Sequence, residues 1–182
     1  WHKYTSNLHI ASSFPGMQGI AFNEYVSPMD KNSYIASRKQ DVPPSYTIYP
    51  VGHRDVYYPI RFIEPVTDSN INNIGFDMYS EPVRKKAMDN ARDTGAPAIT
   101  ARLVLLKDRN KEAQQPGFNM FMPVYADNAP LTTVAERRAA ITGFVSAGIR
   151  SDELIEKLFG SVLTKDVALQ VFDGTTQSPD NI

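Results

Sequence analysis

Three β-rich stretches follow one another in the second half of the chain: "AITARLVLL" (98–106), "GFNMFMPVY" (117–125) and "AAITGFVSAGI" (139–149). A polar loop with Gln114, Gln115, Pro116 and Gly117 joins the first two, a hairpin type of connection. Consecutive strands joined this way pair antiparallel, and with helices before and after them the class is α+β. Upstream, residues 17–26 read as a strand, as do Tyr46–Tyr49 behind the extended pair Pro43-Pro44. A further strand runs from Tyr57 to Ile63, where Pro59 demotes its part to an edge or a bulge. Ser27-Pro28 opens a helix reaching about Gln40, and Ser151 caps another that Gly160 stops. Residues 67–74, rich in Asn, form a turn or short helix, and "DVALQVFDG" is a closing strand. At the start, Trp1, Tyr4, Leu8 and Ala11 are helically spaced until Phe14-Pro15-Gly16, which reads as the tail of a longer helix.

The sharpest single helix lies in "IGFDMYSEPVRKKAMDNARDTGAPAIT" (74–100). Ser80 is its expected cap, Pro82 sits in the first turn, and Gly95 is the left-handed terminator of a helix over 81–94. Val83, Ala87 and Ala91 make a narrow stripe of mostly small residues, suited to close packing on a sheet. Just ahead of the cap, Asp77 stands between Phe76 and Met78. Two roles fit that carboxylate: bonding backbone amides at the helix entry, or pointing into a cavity and holding a guest.

Enzyme chemistry finds little support. With no cysteine, neither disulfides nor thiolate metal sites are available, and His2, His9 and His53 lack a third metal-ligand partner. His53-Arg54-Asp55 could supply two members of a triad, but no serine stands in a nucleophile-elbow pattern. Phosphate-binding glycine motifs are missing, and 19 basic against 20 acidic side chains leave no basic stripe for nucleic acid. No cofactor is expected. The length of 182 residues suffices for one sizeable core or two small ones. No apolar run is long enough to span a membrane, and the opening Trp1-His2-Lys3 is not a secretory signal, so the chain reads as an excised domain. Aromatic residues on the 57–64 strand, with Phe76 and the later strands, leave room for a small-molecule pocket, although filling the core explains them as well.

Residues 14–163 carry a resemblance that covers most of the chain. "FPGMQGIAF", "GHRDVYYPIRFIEP", "GFDMYSEPVRKKAMDNARDTGAPAIT", "QPGFNMFMPVY" and "ERRAAITGFVSAGIRSDELIEKLFG" resemble, in order, the CHASE domain. That family comprises extracytoplasmic sensors of plant cytokinin receptors, bacterial histidine kinases and cyclic-dinucleotide signalling enzymes. The resemblance implies a PAS-like antiparallel sheet with flanking helices, in a tandem PAS-like arrangement on a stalk helix. Residues 1–14 would end the stalk, 15–150 would form the membrane-distal ligand-binding module, and 151–182 would begin a membrane-proximal module that is incomplete here. The parent would be a membrane-anchored protein, homodimeric through its stalks, with this part outside the membrane, periplasmic in a bacterium.

The resemblance also implies site residues. In hormone-binding members an Asp in the pattern matching "FDMYS" bonds the ligand ring; here that is Asp77. A backbone contact falls on Ile99, and Thr94 matches the neighbouring "DTG" threonine. Tyr58, Phe62 and Phe76 would supply aromatic walls. The expected partner is a small molecule, adenine-like by analogy with those receptors. The alternative is a sensor that recognises a protein or peptide and has no small-molecule pocket.

Overall fold

The computed structural model describes residues 1–38, 46–109, 114–160 and 171–174. Its strands are β1 (Met17–Glu24), β2 (Ile60–Glu64), β3 (Ala98–Ile99), β4 (Leu103–Val104), β5 (Pro116–Tyr125) and β6 (Ile141–Arg150). Helices are α1 (His2–Thr5), α2 (Ile10–Ser13), α3 (Lys31–Arg38), α4 (Asp68–Ile71), α5 (Pro82–Thr94), α6 (Val134–Ala140) and α7 (Ser151–Phe159). The strands form one open sheet in the order β2-β1-β6-β5-β3, with β4 also on β5 and every pair antiparallel. This is the α+β class expected, an antiparallel sheet with flanking helices.

Several local expectations are redrawn. The run 98–106 does not stay in the sheet throughout. Ala98 and Ile99 pair with Phe121 and Met120, while Leu103 and Val104 pair with Gly117 and Pro116. Beyond them Leu106–Asp108 coils into a 3-10 turn, with the Asp108 amide on the Leu105 carbonyl. The ladder of β2 starts only at Ile60, because Pro59 has no N–H to donate; Tyr57 and Pro59 make single bridges to Val26 and Asp77. Tyr46–Tyr49 is likewise no strand: Tyr49 forms one bridge, to Phe76. The first helix is interrupted at His9, whose backbone is left-handed. Of the expected closing strand, 166–174, residues 166–170 lie outside the described residues, and 171–174 are not a strand.

Capping differs too. α5 ends at Gly95 as expected, with φ 74° and its amide on the Ala91 carbonyl. It starts differently: Glu81 holds the cap position without a side-chain bond to a helix amide, and the Ser80 hydroxyl donates to the Asp77 carbonyl at 2.6 Å. The buried face of α5 is Arg84, Ala87, Met88 and Ala91, while Val83 is exposed. Ser151 is the first helical residue of α7 rather than its cap, and Gly160 has ordinary right-handed backbone. α6, with a Thr133–Glu136 capping box, fills the connection between β5 and β6.

The register assigns side chains to two faces of the sheet, because successive residues alternate. On the inner face Ala21, Ile60, Phe121 and Phe144 meet Ala87, Met88 and Ala91 of α5 together with Tyr58, Phe76 and Met78. Tyr58 packs edge-on to Phe144 at 5.0 Å, and Phe144 edge-on to Phe121 at 6.1 Å. On the outer face Phe62 and Phe22 pair across β1 and β2, and Trp1 stacks on Phe62 at 5.9 Å. Further along that face Met120, Met122 and Ile99 are exposed.

Candidate functional site

The inner face is not filled evenly. Two cross-strand pairs bring small residues together: Gly19 opposite Gly148, and Ala21 opposite Ser146, on β1 and β6. Asn119 of β5 lies beside Gly148. A four-residue patch without bulky side chains leaves the sheet floor bare, and a cleft of about 60 Å³ forms over it. Its roof is Met78, the leucines Leu105 and Leu106 at the start of the 3-10 turn, and Asn70 and Asn73 around the end of α4. Space here is limited: a Cβ built on Gly148 would stand 3.3 Å from a Leu105 methyl carbon.

The polar groups of the floor are neutral and already oriented. Ser146 Oγ accepts from Asn23 Nδ2 at 2.8 Å, and its own proton has no acceptor among the described residues. Asn119 Oδ1 accepts from Arg84 Nε at 2.9 Å, and its Nδ2 reaches the Ala147 carbonyl at 3.4 Å. Arg84 is 1% exposed; it also donates to the Val104 carbonyl and pairs with Glu81, which bonds Arg109 as well. This fully partnered guanidinium holds the Asn119 carboxamide from behind, so the amide turns N–H groups rather than its oxygen to the cleft side. The floor therefore presents donors.

Of the residues expected at the site, Tyr58, Phe76 and Asp77 come together, all buried. They lie beside Met78 in sequence or packing, yet none of the three lines the cleft. Phe62 is on the outer face under Trp1. Ile99 is 60% exposed on that same outer face, and Thr94 is exposed at the end of α5, its hydroxyl on the Asn90 carbonyl at 2.7 Å. Gly19, Ala21, Ser146 and Gly148 were missed from sequence. Their signal is nonetheless there: "GIA" and "SAG" set small residues two apart on neighbouring strands, so both pairs point the same way.

Asp77 fills the first of the two roles its position suggested, bonding backbone amides. Its Oδ1 accepts from the amides of Tyr58 at 2.9 Å and Tyr79 at 3.1 Å, capping the 3-10 turn Met78–Ser80. Oδ2 is buried without a hydrogen bond, and the Arg54 guanidinium lies 3.4 Å away. Burial pushes the carboxyl above the usual carboxylate range, against the pull of the Tyr58 amide and Arg54. Burial likewise raises the Tyr58 phenol, keeping it neutral. Among the described residues no group of three or more His, Asp or Glu side chains could hold a metal. Nor is any described helix long and apolar enough to cross a membrane.

Two comparisons with known proteins bear on this chain. The chain is similar to the hybrid signal transduction histidine kinase A of Dictyostelium discoideum, at 26% identity over 171 residues. That match takes in 87% of this chain but only 8% of the far longer kinase. The family model described as the CHASE domain matches residues 1–182 throughout, so the chain belongs to the CHASE domain family of sensory, non-catalytic modules.

Proposed function

We propose that this chain is the extracytoplasmic ligand-sensing part of a membrane-anchored receptor. Its output would be a histidine kinase or a cyclic-dinucleotide enzyme, in line with the kinase it resembles. Residues 15–150 form the ligand module, PAS-like in having helices laid across one face of an open antiparallel sheet, and α7 opens a second, membrane-proximal module. The observation that carries the reading is the hollow over Gly19, Ala21, Ser146 and Gly148, in a sheet face otherwise filled by aromatic side chains. Natural cores close-pack, so a bare patch on a central pair of strands calls for a guest.

The guest is a small uncharged molecule with an apolar body for Ile60, Ile63 and the leucines, and acceptor atoms for Ser146 and Asn119. An adenine-like ring meets that description. An apolar cavity of roughly 150 Å³ takes up a benzene, more than twice the present cleft of about 60 Å³. A ring therefore enters only as the roof moves, and binding selects the opened state. Homodimerisation through stalk helices belongs to the same proposal.

A second reading rests on the unbonded Oδ2 of Asp77. Here the guest donates to that oxygen after Arg54 swings aside, with Tyr58 and Phe76 as walls and Ile99, Thr94 and Phe62 drawn in only by rearrangement. Thermal-shift screening with purines, amino acids and small organic acids tests both. A stabilising compound should lose its effect in Ala21→Leu, which fills the hollow; loss in Asp77→Asn with Ala21→Leu unaffected selects the second reading. No stabilisation across the set, with a protein partner retained instead, rejects both in favour of a protein-recognising sensor.

A further inference from the structure

The roof of the cleft is fastened to α7 by a closed ring of side chains. Lys107 donates from Nζ to Gln18 Oε1, and Gln18 Nε2 donates to Glu153 Oε2 at 2.5 Å. On the other side, Asp108 receives Arg150 through three contacts of 2.7–3.0 Å, and Arg150 donates to Glu153 Oε1 at 2.6 Å. Both routes thus leave adjacent residues of the 3-10 turn and converge on the two oxygens of one carboxylate, in the first turn of α7. Asp108 is 1% exposed, so its bond to Arg150 lies largely out of water. The backbone adds a third link at the same corner. The Arg150 amide donates to the Gly16 carbonyl, and Gly16, at φ 73°, has no room for a side chain: a Cβ there would stand 2.8 Å from the Leu154 amide nitrogen.

The positions matter because Leu105, Leu106 and Lys107 line the cleft on one side of this ring, while α7 stands on the other. Gln18 and Lys107 also line a second cleft of about 440 Å³ that runs on to Glu153, Glu156 and Lys157. The floor strands are hydrogen-bonded to neighbours along their length, whereas the leucines sit at a three-residue 3-10 turn, so the turn is the wall more easily displaced.

We propose that the ring Lys107–Gln18–Glu153–Arg150–Asp108 reports the state of the pocket to α7. Displacing the leucines pulls on Glu153 and loosens the first turn of the helix that leaves the ligand module. This rests on the hollow being the ligand site, but its test needs no ligand. Gly148→Val places a built-in guest under Leu105, and hydrogen–deuterium exchange then reads the amides of Leu106–Asp108 and of Ser151–Phe159. Exchange should rise on the order of tenfold in both segments. When Gly148→Val is added to Gln18→Ala/Glu153→Ala, the turn should still respond but α7 should show no further rise. A responding turn with α7 within about twofold of the unsubstituted protein overturns the coupling. An unresponsive turn overturns its role as the moving wall. Either failure leaves the ligand screen, and the function it tests, undecided by this experiment.

Discussion

Two halves of one sheet face, built on the same three strands, are packed in opposite ways. Toward one end Phe144 and the overlying Tyr58, Met88 and Ala91 interlock, each nearly or fully buried, and Phe121, paired with Ser146, closes the boundary with the other half. Two residues along the same strands, Phe144 gives way to Ser146 and Gly148, and the neighbouring strand offers Ala21 and Gly19. The first half uses its residues to exclude water through area and edge-on aromatic contacts. The second forgoes that area and leaves a cleft. On the proposed reading, stability and recognition are separated by about two residues of strand, without a domain boundary between them.

The largest expected effect lies in the filled half. Phe144→Ala removes a ring that touches both Tyr58 and Phe121, and should cost about 3–5 kcal/mol in urea unfolding. Loss under about 1 kcal/mol would mean that this half is no better packed than the other, and the comparison would dissolve.

A matched pair of enlargements sharpens it. Ala91→Leu, on the α5 face and fully buried, has nowhere to go and should cost about 1–3 kcal/mol. Ala21→Leu adds the same atoms over the hollow and should stay within about 1 kcal/mol of the parent. Equal costs at the two positions, measured in the same denaturant series, would show that the cleft is no reserve of space.

Why the sequence disclosed one half and not the other follows from what each half depends on. The strands expected over 117–125 and 139–149 and the Gly95 stop were legible because alternation and left-handed termination are local. The hollow depends on register: Gly19 and Gly148 are 129 positions apart, and only the pairing of β1 with β6 makes them neighbours. Arg84 shows the same limit. By sequence the run Arg84-Lys85-Lys86 reads as the solvated face of a helix, yet Asn119, Val104 and Glu81 supply Arg84 with enough partners to bury it. The break in 98–106 depends on which stretch of β5 each half of that run meets. Asp77 was ambiguous in sequence because its two oxygens do different things, and no local pattern resolves atoms of one side chain.

That division of labour gives the smallest expected effect, since two amides and Arg54 offset much of the burial that Asp77 suffers. Its folded-state carboxyl titrates above the unfolded one, so the folded protein binds the proton more tightly. Stability attributable to this group is therefore fullest below the ordinary carboxylate range and declines as pH rises from about 4 toward the raised folded value. Asp77→Asn keeps an oxygen for the Tyr58 and Tyr79 amides but has no charge to bury. The variant should consequently gain on the parent in melting temperature as pH climbs from about 4 to 7, and the two should converge in acid. A parent that instead gains on the variant over that range would mean Arg54 overcomes the burial and holds Asp77 fully charged. In that case the carboxylate is fixed as half of an ion pair, and the reading in which a guest takes over its second oxygen loses its footing.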